Sequence, residues 1–399
     1  MRILVVHRFF WPDQVPCAVI MRAVASHLVD DGHEVDVLSS QPSSPRGRSV
    51  GKRPRVEFLN GVRVFRALLP AESGRSLWRI LNALHLGLRI LLRSMLRRYD
   101  VIVVTTIPPI LGGFFSALAA KITRSKLVYF CMDLHPEVGR VSGDFANPVL
   151  FAMLQRMDDW TCRQASTVLV HSVDMRDTLL SRPRAAEYTV QIMNNFALPA
   201  ETSTADPIDF GFSDYRLTLI YAGNVGRFQG LETVVEAMVL LAERKDIALV
   251  IMGDGVAKSE LMTKAQQFNA NVVFLPYQTV GAAKLAIQQA DIGLVTLIPN
   301  MYRYAYPSKT MAYLEQGRPM IAAVEPESEL SRAMQSEGYG FSVPIGDAPA
   351  MADLLKRLAD DTSWKATMNA SALRAFERNF APEVVLNQWS RVVDAASSP

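Results

Sequence analysis

Residues 217–237 read LTLIYAGNVGRFQGLETVVEA, and this stretch decides the fold. Leu217 to Tyr221 is a short apolar run of strand length. A glycine-bearing loop, GNVGRFQG, follows it, and from Leu231 the apolar positions recur at helical spacing as far as Arg244. A strand that reads apolar throughout is buried on both faces, and parallel neighbours need helical crossovers. Toward the C-terminus the alternation repeats: strand Ala248 to Met252, loop GDG, helix Lys258 to Phe268, strand Val272 to Leu275, helix Val280 to Ala290, strand Ile292 to Leu297, helix Ser308 to Gln316, strand Met320 to Ala323. Toward the N-terminus it repeats again, with strands Ile3 to Val6, Val35 to Leu38, Val101 to Thr105, Leu127 to Cys131 and Thr167 to Val170. A first helix spans about Ala18 to Asp31 and ends at Gly32. The fold class expected is α/β, two Rossmann-like doubly wound domains. Residues 1–196 form the first domain, 197–214 a Pro/Ser/Thr/Asp-rich linker, 215–375 the second domain and 376–399 a C-terminal helix packing back on the first. Ligands of such sheets sit at the carboxyl ends of the strands, in a cleft where two domains face one another.

The chain has 399 residues, 49% of them apolar and 20% charged, which is ample for packed cores and excludes disorder. Its net charge of +3 averages a first half at +9 and a second half at −6. Such asymmetry points the first half at an anionic partner. Cys17, Cys131 and Cys162 show no Cys-x-x-Cys spacing, so neither a disulfide framework nor a cysteine zinc site is encoded. The opening MRILVVHRFFWP is too short an apolar run for a signal peptide, and no uninterrupted apolar run is long enough to span a bilayer. A cytoplasmic protein is expected.

The segment Ser76 to Tyr99 contains no acidic residue and carries Arg79, Arg89, Arg93, Arg97 and Arg98 beside a broad apolar face that includes Trp78. That composition fits a helix lying in the headgroup region of an anionic leaflet, with Trp78 and the five arginines facing the membrane. The plainer reading is a core helix with solvated arginines. Nucleic-acid binding ranks low, because the charges lie on an apolar helix without stacking platforms.

No Gly-x-Gly-x-x-Gly follows the opening strand of either half and no P-loop occurs, so simple dinucleotide and NTPase readings lose support. Instead Gly223, Asn224 and Gly226 form a loop whose backbone can approach an anion, and Arg227 opens the next helix. A second anion site is expected where Pro307, Ser308 and Lys309 begin a short helix, with Ser308 as its cap. Arg227 and Lys309 together suit a diphosphate. Gly253 and Gly255 would let backbone approach a base or ribose, and Tyr277 would line the base pocket.

The ordered set GNVGRFQGLETVVEA, LVIMGDG, NVVFLPY, QQADIGLVTL and PSKTMAYLEQGRPMIA resembles the donor domain of family 4 glycosyltransferases with the GT-B fold, in the branch that builds bacterial surface polysaccharides. MRILVVHRFFWPDQ, DDGHEVDVLSSQ, MDLHPE and QIMNNF are similar to the family's N-terminal landmarks, so the likeness covers nearly the whole chain. The resemblance implies transfer of a sugar from a nucleotide diphosphate sugar, a UDP-sugar ahead of a GDP-sugar, with retention and with no cofactor or metal required. The places of the family's two glutamates hold Tyr304 and Ala312, and Glu315 would reach a ribose hydroxyl instead. The glycines of the first N-terminal loop are replaced by Val15, Pro16 and Cys17.

Arg227 and Lys309 are the expected neutralisers of the leaving diphosphate. Asp133 and His135 are the expected catalytic groups on the acceptor side, joined there by Cys17 and Glu137. The expected partners are a nucleotide sugar donor, a polyprenyl-diphosphate-linked saccharide acceptor and the anionic cytoplasmic face of the inner membrane, with no nucleic acid. A non-catalytic nucleotide-sugar-binding subunit and a GT-B-fold sugar-nucleotide epimerase are the alternatives.

Overall fold

The computed structural model describes residues 1–43, 51–69, 76–141, 143, 145–200, 208–226 and 229–397. In chain order the elements are β1 (Arg2–Val6), α1 (Pro16–Asp30), β2 (Glu34–Ser40), β3 (Val56–Leu59), β4 (Val62–Ala67), α2 (Ser76–Leu96), β5 (Val101–Thr105), α3 (Leu111–Thr123), β6 (Lys126–Cys131), α4 (Glu137–Val141), α5 (Pro148–Gln164), β7 (Thr167–Val170), α6 (Val173–Leu180) and β8 (Val190–Ile192). Then come β9 (Leu217–Ala222), α7 (Leu231–Leu240), β10 (Ile247–Met252), α8 (Lys258–Gln267), β11 (Val272–Leu275), α9 (Val280–Gln289), β12 (Ile292–Thr296), α10 (Lys309–Glu315), β13 (Met320–Ala323), α11 (Glu329–Glu337), β14 (Gly340–Val343), α12 (Ala348–Asp360), α13 (Trp364–Asn379) and α14 (Pro382–Ser397).

The chain divides into two compact units, Met1–Asn194 with Val385–Pro399, and Asn195–Val384. The first holds an eight-stranded sheet in the order β3-β4-β2-β1-β5-β6-β7-β8, parallel except for β3 against β4. The second holds a six-stranded parallel sheet in the order β11-β10-β9-β12-β13-β14. The central strands of both sheets are buried on both faces, as their continuous apolar sequences require: β1 from Ile3, all of β5, and β10 and β12 are buried.

Local sequence sets where many helices begin. Pro16 opens α1, Asn147 caps α5 by accepting from Val149 N at 2.9 Å and Leu150 N at 3.1 Å, and Ser172, Thr279, Ser328 and Asp347 cap α6, α9, α11 and α12. The antiparallel pair β3–β4 turns at Asn60 and Gly61, with φ of 49° and 79°, the two positive values a two-residue hairpin turn needs.

The segment expected as a linker is anchored at both ends. Ala197 and Phe212 are buried in the core of the second unit, and Phe210 stacks on Phe212 at 5.6 Å. Residues 201–207 lie outside the described residues. At the C-terminus, Trp389 of α14 packs edge-on against Phe130 at 5.2 Å, and Ser390 bonds His27 at 2.9 Å. Residues of α13 before it, such as Ala372 and Ala375, pack in the core of the second unit.

Candidate active site

In the second sheet β9 has β10 on one side and β12 on the other, so connections leave it in opposite directions and open a crevice at the carboxyl ends. The β9–β12 ladder is short, pairing Leu219 with Ile292 and Ile220 with Gly293. Beyond it, Tyr313 of α10 bridges the strands: its buried hydroxyl accepts from Ala222 N at 3.1 Å and donates to Leu294 O at 3.2 Å. Gly293 makes room for the ring, since a Cβ there would stand 2.4 Å from Tyr313 Cγ. α10 is therefore keyed into the crevice. Lys309 in its first turn reaches across to the loop after β9.

Lys309 Nζ lies 4.6 Å from the centre of the Tyr221 ring and 3.4 Å from Gln229 Oε1. Gly223 has φ +148°, a backbone conformation that demands glycine, and its missing Cβ leaves the space that Lys309 Cε occupies, 2.7 Å from where a Cβ would stand. Among the described residues no carboxylate pairs with Lys309, and burial pushes its ammonium down to about 8. The loop is rigidly held. Tyr221 donates to Asn224 O at 2.6 Å, Gly223 N donates to Met252 O at 2.9 Å, and Val225 N donates to Asp254 O at 2.9 Å.

Those last contacts change the role of the next loop. A Cβ on Gly253 would stand 1.9 Å from Gly223 O, and one on Gly255 2.1 Å from Val225 O. Both glycines serve the packing of loop on loop, a requirement that holds whether or not a base or ribose comes near. Gly226 lies against its own neighbour, Asn224, whose Nδ2 would be 2.7 Å from a Cβ. Arg227, with Phe228, lies outside the described residues. Pro307 is partly buried and Ser308 exposed. Ser308 has helical dihedrals and makes no cap bond, so its expected capping role is corrected: a serine already in the helix cannot turn its hydroxyl onto the first free amides.

Glu315 is also reassigned. It pairs with Lys284 of α9 at 2.6 Å and stands at the far end of a seven-residue helix from Lys309, about 9 Å along the axis. Tyr277 is 53% exposed just beyond β11, the edge strand, two places from β9. Tyr304 ends a short 3-10 turn and Ala312 packs against the core.

The first sheet has its own reversal at β1, which lies between β2 and β5. His7, directly after β1, is fully buried, with Nδ1 2.6 Å from Thr105 Oγ1; burial pushes its imidazole down to about 3, so the ring is neutral. Its Nε2 has no hydrogen-bond partner among the described residues. Asp133 and His135 emerge from β6 nearby in sequence: burial raises the Asp133 carboxyl, and the positive charge of His135 opposes that rise. Cys17, in the first turn of α1, feels Asp133 and Asp13, and burial with these charges pushes its thiol up to about 11. The structure thus brings together Cys17, Asp133 and His135, and adds Asp13.

Glu137 belongs elsewhere. Arg182, 6% exposed, contacts Glu137 at 2.7 Å, Asp158 at 2.7 Å and Asp159 at 3.2 Å, and donates to His135 O at 2.9 Å. Burial alone would raise the Glu137 carboxyl, but Arg182 holds it below its ordinary range. Glu137 is an internal ion-pair partner that fastens the His135 loop, and the acceptor contact expected of it is withdrawn. Sequence reading missed Arg182 because its partners stand 23 to 47 positions away.

Residues 17–195 match the family described as glycosyl transferase 4-like domain, and residues 216–361 match glycosyl transferases group 1. The chain belongs to the family 4 glycosyltransferases of GT-B fold. A relative from Pseudomonas aeruginosa, described as the probable glycosyltransferase WbjE, is 24% identical over 76% of each chain. WcaI of Escherichia coli, named for colanic acid biosynthesis, is 30% identical over 31% of this chain and 30% of its own. The solved structure of Anabaena HepE in complex with UDP superposes with a TM-score of 0.68 over 99% of this chain and 100% of that one, at 16% identity, a likeness of fold.

The glycosyltransferase presents α2 in two parts. Trp78, Arg79, Arg89 and Arg98 are exposed, together with Leu88, Leu92, Met95 and Leu96. Arg93 and Arg97 are not: Arg93 bonds Asp36 at 2.7 Å and lies 3.6 Å over the Phe65 ring, while Arg97 pairs with Glu34. Their expected membrane-facing role is corrected, because β2 supplies the acids that the helix itself lacks. No helix among the described residues is long and apolar enough to cross a membrane.

Proposed function

We propose that this glycosyltransferase transfers a sugar, with retention of configuration, from a nucleotide diphosphate sugar to a lipid-linked saccharide in bacterial surface polysaccharide synthesis. The donor is a UDP-sugar, no cofactor is needed, and the second unit binds it while the first receives the acceptor at the cytoplasmic face of the inner membrane. One observation carries the donor part: Lys309, a partly buried cation with no carboxylate partner among the described residues, leans on the glycine loop at the switch point of the second sheet. A buried charge left uncompensated is costly, and a diphosphate would supply the missing partner. As the glycosidic bond breaks, negative charge gathers on the departing diphosphate, and a fixed ammonium stabilises it without reorganisation. Arg227 is the second cation in this reading. UDP in the HepE complex, the colanic acid name of WcaI and the exposed Trp78, Arg79, Arg89 and Arg98 of α2 support the donor, pathway and membrane parts in turn.

The test is a thermal-shift panel of UDP, GDP and their sugars, followed by transfer to a polyprenyl-diphosphate-linked sugar. UDP compounds are expected to raise the melting temperature, since a ligand that binds only the folded state stabilises it by mass action. Lys309→Ala is expected to remove that shift and lower kcat/KM by ~10²-fold or more with the fold intact. A normal UDP response in Lys309→Ala would overturn the diphosphate assignment.

A further inference from the structure

α2, α3 and α5 pack side by side. Gly87 of α2 sits on the Phe115 ring of α3, where a Cβ would come within 2.1 Å, and Gly113 of α3 faces Thr161 of α5, where a Cβ would come within 3.1 Å. Along α3 and α5 runs a groove of about 720 Å³ lined by Phe114, Val149, Met153, Met157 and Trp160, with Arg156 the one charged residue lining it. Trp160 leans on Phe114 at 5.1 Å, and Val149 and Met153 are 77% and 51% exposed.

Charge says what kind of occupant suits the groove. The three helices carry two acids between them, Asp158 and Asp159, and both are buried against Arg182. Arg79, Arg89, Lys121 and Arg156 of the same helices are exposed. The outward surface is therefore apolar and positive. A second copy of it would be repelled, whereas an amphiphile with an anionic head and a hydrocarbon tail is complementary in both respects.

Position adds to this. In a parallel sheet the helix after a strand begins at the carboxyl edge, so Phe114 in the first turn of α3 and Val149 in the first turn of α5 lie at the edge from which Asp133 and His135 emerge. α5 joins the two features physically. Its outer side lines the groove, and its inner side, through Asp158, Asp159 and Gln155, holds Arg182 and Glu137 of the His135 loop.

We propose that this groove holds the hydrocarbon chain of the acceptor lipid, an isoprenoid phosphate, with Arg156 and the other exposed cations of the three helices as the partners of its phosphates. The inference rests on the lipid-acceptor reading above. The groove orients the lipid so that its sugar end meets the Asp133–His135 loop.

The probe is farnesyl diphosphate, followed by tryptophan emission in the full chain. Saturable blue-shifted emission is expected, absent in Trp160→Phe, with affinity reduced at least tenfold by Val149→Glu combined with Met153→Glu. Both side chains are exposed, so these variants should melt as wild type does. Inorganic diphosphate at the same concentration should leave Trp160 emission unchanged. The proposal is overturned if the double variant binds farnesyl diphosphate as wild type does, or if inorganic diphosphate produces the same shift. It is also overturned if farnesyl diphosphate has no effect while phosphatidylglycerol vesicles shift Trp160, which would assign the groove to bilayer acyl chains. The UDP thermal shift is read separately, so failure of the donor reading leaves this result interpretable.

Discussion

The two sheets reverse direction at β1 and at β9, and the chain builds these switch points from opposite materials. After β9 the loop is glycine-rich, Gly223 and Val225 bond to the neighbouring strand end and loop, and the cation beside it has no anion among the described residues. After β1 the chain carries His7, bulky residues and Val15, Pro16 and Cys17 in place of glycine. Three of the less exposed arginines of the first unit are compensated: Arg182 faces three carboxylates, Arg66 pairs with Glu57, and Arg93 pairs with Asp36. Burial alone does not distinguish a structural charge from a functional one. The balance separates them here, because losing a partner from a compensated buried charge is costly, while a cation with no counter-ion among the described residues leaves room for an anionic ligand.

The sharpest way to break this contrast is Arg182→Ala, which strands Glu137, Asp158 and Asp159 in the interior. A loss of ~3–5 kcal/mol is expected from the urea midpoint, against almost none for Lys309→Ala. Comparable losses in the two variants would erase the distinction. A smaller effect is expected for Tyr313→Phe, which leaves Ala222 N and Leu294 O unpaired in the sheet gap and costs ~1–3 kcal/mol. If Tyr313→Phe melts as wild type does, the hydroxyl does not bridge the switch point.

The smallest effect is on pH. Lys309 titrates at about 8 in the folded chain against an ordinary 10.5, so between these values the unfolded chain binds more protons and stability rises with pH. Diphosphate binding runs the other way. The free protein loses the Lys309 proton above about pH 8, so UDP affinity should fall there by up to about tenfold per pH unit, and Lys309→Arg should remove the slope because arginine stays charged. Isothermal titration of UDP from pH 7 to 9.5 reads this directly, and a slope retained in Lys309→Arg would assign the proton to another group.

The central strands were legible because each is a continuous apolar run. β5, β7, β11 and β13 begin and end at the residues their composition marks, while α7 stops at Leu240, short of Arg244. The β3–β4 hairpin went unread although Asn60–Gly61 is a strong turn signal, since its strands are short and β3 alternates between exposed and partly buried residues. The candidate site was read in the sequence from its glycines and its lysine, of which Gly223 and Lys309 meet in the structure, and their role in binding is a proposal. It was misread at Glu137, Glu315, Arg93 and Arg97, each of which pairs with a residue on another element, from 31 to 63 positions away.

Sequence by itself determined the alternation of strand and helix, the glycine loop after β9 and the ordered Pro307, Ser308 and Lys309, and with them the family. These are local properties: the period of apolar residues and the space a side chain takes are written in neighbouring positions. Which charges are satisfied was decided only by the tertiary structure, because ion pairs form between strands and helices that the chain brings together from far apart. Folding gave Arg182, Arg93 and Glu315 their charged partners, whereas Lys309 meets Gln229 and, among the described residues, no carboxylate.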